Sequence, residues 1–171
     1  LIYDPVAIET IDRAIIDVAR TDICFTPLAE WVHPEVGALN LIELTDPSAL
    51  LSEAFPPLSI RLAESATEAT QWWTLRKKAV GLLANTPGRA KPVPFVEDTV
   101  VPPQYLSDYI RDFRALLDRH HLRYAMYGHA DVGCVHVRPA LDLQDPEHER
   151  LIRIISDEVH HLVMSYGGVI W

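Results

Sequence analysis

"LRYAMYGHADVGCVHVRP" (residues 122–139) sets two runs of strand-forming residues on either side of a short, glycine-containing break. Alternating apolar and polar residues mark both runs as strands, and Ala130 to Gly133 mark the turn. Strands this close in sequence pair antiparallel, because a parallel pair needs a crossover of about a dozen residues or more. The hairpin therefore points to an α+β class, a largely antiparallel sheet with helices covering one face. Parity then sorts the side chains, since successive residues of a strand face opposite ways. Leu122, Tyr124 and Met126 share one face; Arg123, Ala125, Tyr127 and His129 share the other. On the returning strand Val135 and Val137 are apolar, whereas Cys134, His136 and Arg138 are polar.

If His129 lies opposite or diagonal to His136, their Cβ atoms are about 5 to 8 Å apart. Both imidazoles then reach one metal ion at about 2.0 to 2.1 Å. A bulge at Asp131 to Gly133 would change that register. One polar and one apolar face is also what any half-buried antiparallel sheet shows, and two histidines fall short of a full ligand set. Cys134 is a candidate third ligand or a small packing residue.

Around the hairpin, helices alternate with short strands. Three Asp-Pro pairs, at Asp4-Pro5, Asp46-Pro47 and Asp145-Pro146, read as helix starts. Val6, Ile8, Ile11, Ile15 and Val18 after the first predict a helix of about 15 residues. The helix after the second is cut short by Pro56 and Pro57. After the third, Leu151, Ile155, Val159, Leu162 and Val163 form an apolar stripe that closes at Tyr166-Gly167-Gly168. Two more helices fit 103–119 and roughly 67–84. Further strands fit "LNLIEL", "PFVEDTVV" (94–101) and "GVIW", and "NTPGRAKPVP" (85–94) reads as a loop. Asp142 and Asp145 read as turn and cap residues, and Trp72 and Trp73 as packing residues.

The 171 residues are 49% hydrophobic and 23% charged, the composition of a globular domain. A formal net charge of −9 argues against a general nucleic-acid binder, which needs clustered Lys and Arg. The longest apolar runs, such as "AVGLLA" (79–84), fall far short of the roughly 20 residues that cross a bilayer. Two cysteines, Cys24 and Cys134, are too few for a disulfide framework, so a reducing compartment is expected. These features predict a cytoplasmic protein, or one peripheral to the inner membrane, with homo-oligomerisation open. The chain opens at Leu1 and ends "SYGGVIW", which suggests a piece of a longer parent.

"GHADVGCVHVRP" resembles the "GHxGDGNxHxxP" motif of the C-terminal domain of FAD-linked oxidases and dehydrogenases acting on D-2-hydroxy acids. "WWTLRKKA" (72–79) is similar to that family's "lWxlRe" helix, and "EDTVVP" (97–102) to its "EDvaVP" segment. The likeness is near-continuous from Gln71 to Trp171 and general before residue 66; it is nearest to large bacterial members fused to an iron–sulfur domain.

The resemblance implies a cap of ferredoxin-like character spanning 1–171, which closes a substrate pocket over FAD held mainly by another domain of the parent chain. It implies His129 and His136 as ligands of a divalent metal (Zn, Mn or Fe), and Arg76 and Arg138 as binders of a small anionic 2-hydroxy acid. An iron–sulfur cluster elsewhere in the parent is also implied. The catalytic base and a glutamate ligand, both in a "GEHG" motif, would fall beyond Trp171. Asp131, Val132 and Cys134 stand where the motif has Gly, Asp and Asn, and Cys134 would alter metal preference. The alternative is a non-catalytic ferredoxin-like module that binds an anion or a protein partner.

Overall fold

The computed structural model describes residues 5–23, 25, 31–46 and 60–171. Among the described residues the strands are β1 (Ala7–Asp12), β2 (Ala38–Glu43), β3 (Lys91–Pro92), β4 (Thr99–Val100), β5 (Tyr124–His129), β6 (Cys134–Leu141) and β7 (Val169–Ile170). The sheet runs β2-β1-β5-β6-β4-β7, with β3 on the far end of β6, and every pair is antiparallel. The helices are α1 (Arg13–Thr21), α2 (Ala66–Leu82), α3 (Leu106–Arg119) and α4 (Pro146–Ser165).

The α+β class and the antiparallel sheet are as expected, but helices cover both faces rather than one. Residues of one parity, Ile11, Ala125 and Tyr127, pack with Ile15, Trp72, Leu75 and Ala79 under α1 and α2. Those of the other parity, Met126, Val135 and Val137, pack with Phe113, Leu117, Ile155 and Val159 under α3 and α4. Among the described residues, no helix is long and apolar enough to cross a membrane.

The first expected helix is half strand. Residues 7–12 pair with β2 and residues 9–11 also with β5, and helix α1 starts only at Arg13. Ile8 and Ile11 fit a helical period, but Ala7, Glu9 and Ile11 fit a period of two just as well, and two flanking strands decide between them. Asp12 is the working N-cap, its carboxylate accepting from the Ile15 amide at 3.2 Å. The "PFVEDTVV" strand is likewise reduced to Thr99–Val100. Pro94 has no amide to donate, and Asp98 takes a left-handed φ of 59°, so the ladder starts only after it. Asp4, Cys24 and the helix expected after Asp46-Pro47 lie outside the described residues. Helices α2, α3 and α4 stand where their spacing predicts, with Ser65 and Asp145 as N-caps and short 3₁₀ turns extending α2 and preceding α3.

Hairpin register is fixed by contact as well as by pattern. His129 pairs with Cys134 and Tyr127 with His136, so the two histidines are diagonal neighbours with no bulge between them. Gly133 adopts φ +74° in the turn, and a Cβ there would sit 2.0 Å from the Val101 carbonyl oxygen.

Candidate functional site

Four elements and the bend before β4 deliver polar side chains to one region of the sheet. β5 and β6 supply Tyr127, His129, Cys134, His136 and Arg138 by parity. β1 adds Glu9, directly across from His129. Helix α2 buries Trp72, Leu75 and Ala79, and it brings Arg76 beside β1. Glu97 and Asp98 come from the bend before β4, which pairs Val100 with Cys134. The Asp98 carbonyl accepts from the Trp171 amide at 3.0 Å, which holds that left-handed bend in place.

Glu9 is shared. Its Oε1 lies 2.6 Å from His129 Nδ1, and its Oε2 accepts from Arg76 Nε and Nη2, both at 2.8 Å. Asp98 Oδ1 lies 2.6 Å from His136 Nδ1. With a carboxylate at Nδ1 of each ring, Nε2 is the nitrogen left to accept a ligand. The ring centroids of His129 and His136 are 5.2 Å apart, nearly perpendicular. Arg138 grips Glu97 through two bonds, Nε to Oε1 at 2.5 Å and Nη2 to Oε2 at 3.2 Å. Tyr127 donates its hydroxyl to the same Glu97 at 2.7 Å and stacks its ring on His136 at 4.8 Å. The Arg76 and Arg138 guanidinium carbons stand 5.2 and 5.9 Å from the Tyr127 ring centroid.

The protonation states follow from these neighbours. Burial, the largest effect, joins His129 and Arg76 in holding His136 below its ordinary value against the pull of Asp98 and Glu97, so the ring is neutral and able to ligate near pH 7. Burial alone would raise Glu97, but its bonds from Arg138 and Tyr127 and the nearby positive charge outweigh it and keep the carboxylate ionised. Burial, then the carboxylates of Asp98 and Glu9, push the Cys134 thiol up. Burial and Glu97 likewise raise the Tyr127 phenol, which stays a hydrogen-bond donor.

His129, His136, Cys134, Arg76 and Arg138, singled out from sequence, thus meet on one face. Among the described residues, the acidic, His and Cys donors that converge within 4.8 Å are Asp98, Cys134 and His136; His129 stands beside them, held by Glu9. Three other basic residues of the 76–91 stretch go elsewhere. Arg89 pairs with Asp142, Lys91 donates to the Ala84 and Thr86 carbonyls, and Lys78 lies over Phe25. His120 bonds Glu158 and His161 bonds the Asp157 carbonyl, so neither joins the site. Trp72 is buried against Trp31, with Trp73 half-buried. Sequence reasoning missed the roles of Glu9, Glu97, Asp98 and Tyr127. The period-two alternation of Ala7, Glu9 and Ile11 was the available signal for Glu9.

Residues 3–171 match the family described as "FAD linked oxidases, C-terminal domain". Three relatives are each named D-2-hydroxyglutarate dehydrogenase. The Escherichia coli protein is 43% identical over 96% of this chain, the Pseudomonas putida protein 43% over 99%, and the Haemophilus influenzae protein 40% over 96%. The chain spans 18%, 19% and 18% of their respective lengths. Since the family match runs through both strands of the hairpin, helix α2 and the polar face they build, the chain belongs to the FAD-linked oxidase C-terminal domain family.

Proposed function

We propose that this chain is the substrate-binding cap of a longer FAD-dependent oxidoreductase that oxidises a D-2-hydroxy acid to the 2-oxo acid, with Arg76, Arg138, His129 and His136 as its binding residues. The observation that carries this reading is the arrangement of the two arginines. Glu9 occupies the Nε–Nη2 edge of Arg76, and Glu97 occupies the same edge of Arg138. The Nη1–Nη2 edge of each guanidinium is the one left for a carboxylate, the planar fork that such a group fits. Two forks on one face suit a diacid, the class of molecule in the relatives' names.

The donor set fits a divalent metal. Each histidine is bonded at Nδ1 by a carboxylate, the outer partner that a metal-ligating imidazole commonly has, which leaves Nε2 for the ion. When bound, such an ion would polarise the substrate hydroxyl and lower its pKa, easing proton loss as hydride departs to the flavin. The residues of this chain bind and orient. Arg76 and Arg138 fix the carboxylates, Glu9 holds Arg76 and His129 in one frame, and Tyr127 supports both guanidinium groups from beneath. Arg89 and Lys91, basic residues that could suit a cofactor phosphate, are engaged by Asp142 and by backbone carbonyls. On this reading another domain of the parent protein holds the flavin.

Arg76→Lys in the complete parent protein tests the reading, because lysine keeps the charge and loses the fork. The expected outcome is a KM for the 2-hydroxy acid raised roughly tenfold or more, the scale of one charge-assisted bond. Unchanged KM and kcat would remove Arg76 from the site.

A further inference from the structure

We propose that Cys134 is itself a metal ligand, a thiolate that joins His136 and His129 and makes the site selective for a thiophilic divalent ion. The inference rests on the reading that this face holds a metal, and adds the donor that sets which one.

The geometry comes from the strand. Cys134 and His136 are two residues apart on β6 and so share a face, and Cys134 pairs directly with His129 across the ladder. Cys134 Sγ lies 3.9 Å from His136 Nε2, the nitrogen that Asp98 leaves free. An ion bonded to sulfur at about 2.3 Å and to imidazole at about 2.1 Å would bridge that gap with an S–metal–N angle of roughly 125°, near tetrahedral. The 4.8 Å convergence of Asp98, Cys134 and His136 marks the same point. Asp98 is engaged with His136 Nδ1, which suits it to orient the ring, and leaves the sulfur as the second donor to the ion.

Packing alone does not explain the residue. Half-buried, Cys134 sits among His129, His136, Asp98 and Glu9, whereas a cysteine used as a small apolar filler is ordinarily enclosed by hydrocarbon. A site with one thiolate and two imidazoles prefers Zn²⁺, Fe²⁺ or Co²⁺ over Mg²⁺, Ca²⁺ or Mn²⁺, which favour oxygen.

X-ray absorption at the zinc K-edge tests this directly in the complete parent protein, stripped by chelator and reloaded with Zn²⁺. The expected spectrum contains one sulfur neighbour at about 2.3 Å beside nitrogen or oxygen at about 2.0 to 2.1 Å. In Cys134→Ser the sulfur shell disappears and Zn²⁺ affinity falls about tenfold or more, while Mn²⁺ affinity moves less. Zinc bound by the unsubstituted protein through nitrogen and oxygen alone would overturn the proposal and leave the metal reading standing. Failure of the unsubstituted protein to retain zinc or any other divalent ion would overturn both. Should the serine variant not fold, the unsubstituted spectrum decides alone.

Discussion

Asp12 does two structural jobs with one carboxylate. Its Oδ1 caps α1 through the Ile15 amide, and its Oδ2 accepts from the Met126 amide of β5 at 2.8 Å. Only 5% exposed, it is pushed up by burial from 3.8 to about 6, against the two backbone bonds and Arg114. Because the folded pKa is the higher one, the native state binds the extra proton between about pH 4 and 6. This group's contribution therefore favours the fold at low pH and is lost as pH rises through 6. The full swing is about 3 kcal/mol as an order of magnitude. Thermal unfolding of the chain at pH 5 and pH 7.5 is expected to show a smaller pH dependence in Asp12→Asn than in the unsubstituted protein. Equal pH dependence in the two would show that Asp12 is ionised throughout at no cost.

The β5–β6 hairpin carries both the fold and the candidate site, and within its ladder the two strands close tightly at Gly128. A Cβ there would meet the Cys134 carbonyl oxygen at 2.3 Å and the Val135 Cα at 3.1 Å, both backbone atoms that cannot swing aside. Gly128→Ala is therefore expected to push the strands apart and cost roughly 1 to 3 kcal/mol or more, read by urea unfolding. A loss within about 0.5 kcal/mol, typical of surface changes, would show that the ladder yields easily. This element was also the most legible in sequence, since alternation in β5 and β6 sorts Tyr127, His129, Cys134, His136 and Arg138 onto their observed face. The carboxylates were not legible, for physical reasons. Glu9 sits where helical and strand periods overlap, and its strand state is imposed by β2 and β5, distant in sequence. In sequence Asp98 reads as an ordinary strand residue, whereas its left-handed backbone turns it toward His136, a conformation with no periodic signature.

At the scale of the molecule, one antiparallel sheet carries an apolar core on each face. The chain spans about a fifth of its relatives' length, so the isolated chain is expected to purify folded but colourless, with no turnover of 2-hydroxy acids. A visible spectrum and a dye-reduction assay check this; stoichiometric flavin or measurable turnover would overturn the division of labour proposed above. Helices α2, α3 and α4 and the family resemblance were readable because apolar spacing and local motifs are written in consecutive residues. The second helical layer was not, because the side of a sheet on which a helix lands depends on chain connections that no local stretch records. The Tyr127 ring, held at its hydroxyl by Glu97 and flanked by His136, Arg76 and Arg138, has a final consequence. Arginine side chains are among the costliest to immobilise, at up to about 2 kcal/mol each. Here that disorder is surrendered when the chain folds, so a ligand held by these arginines, as proposed above, would meet side chains already at rest and keep more of its contact energy as affinity.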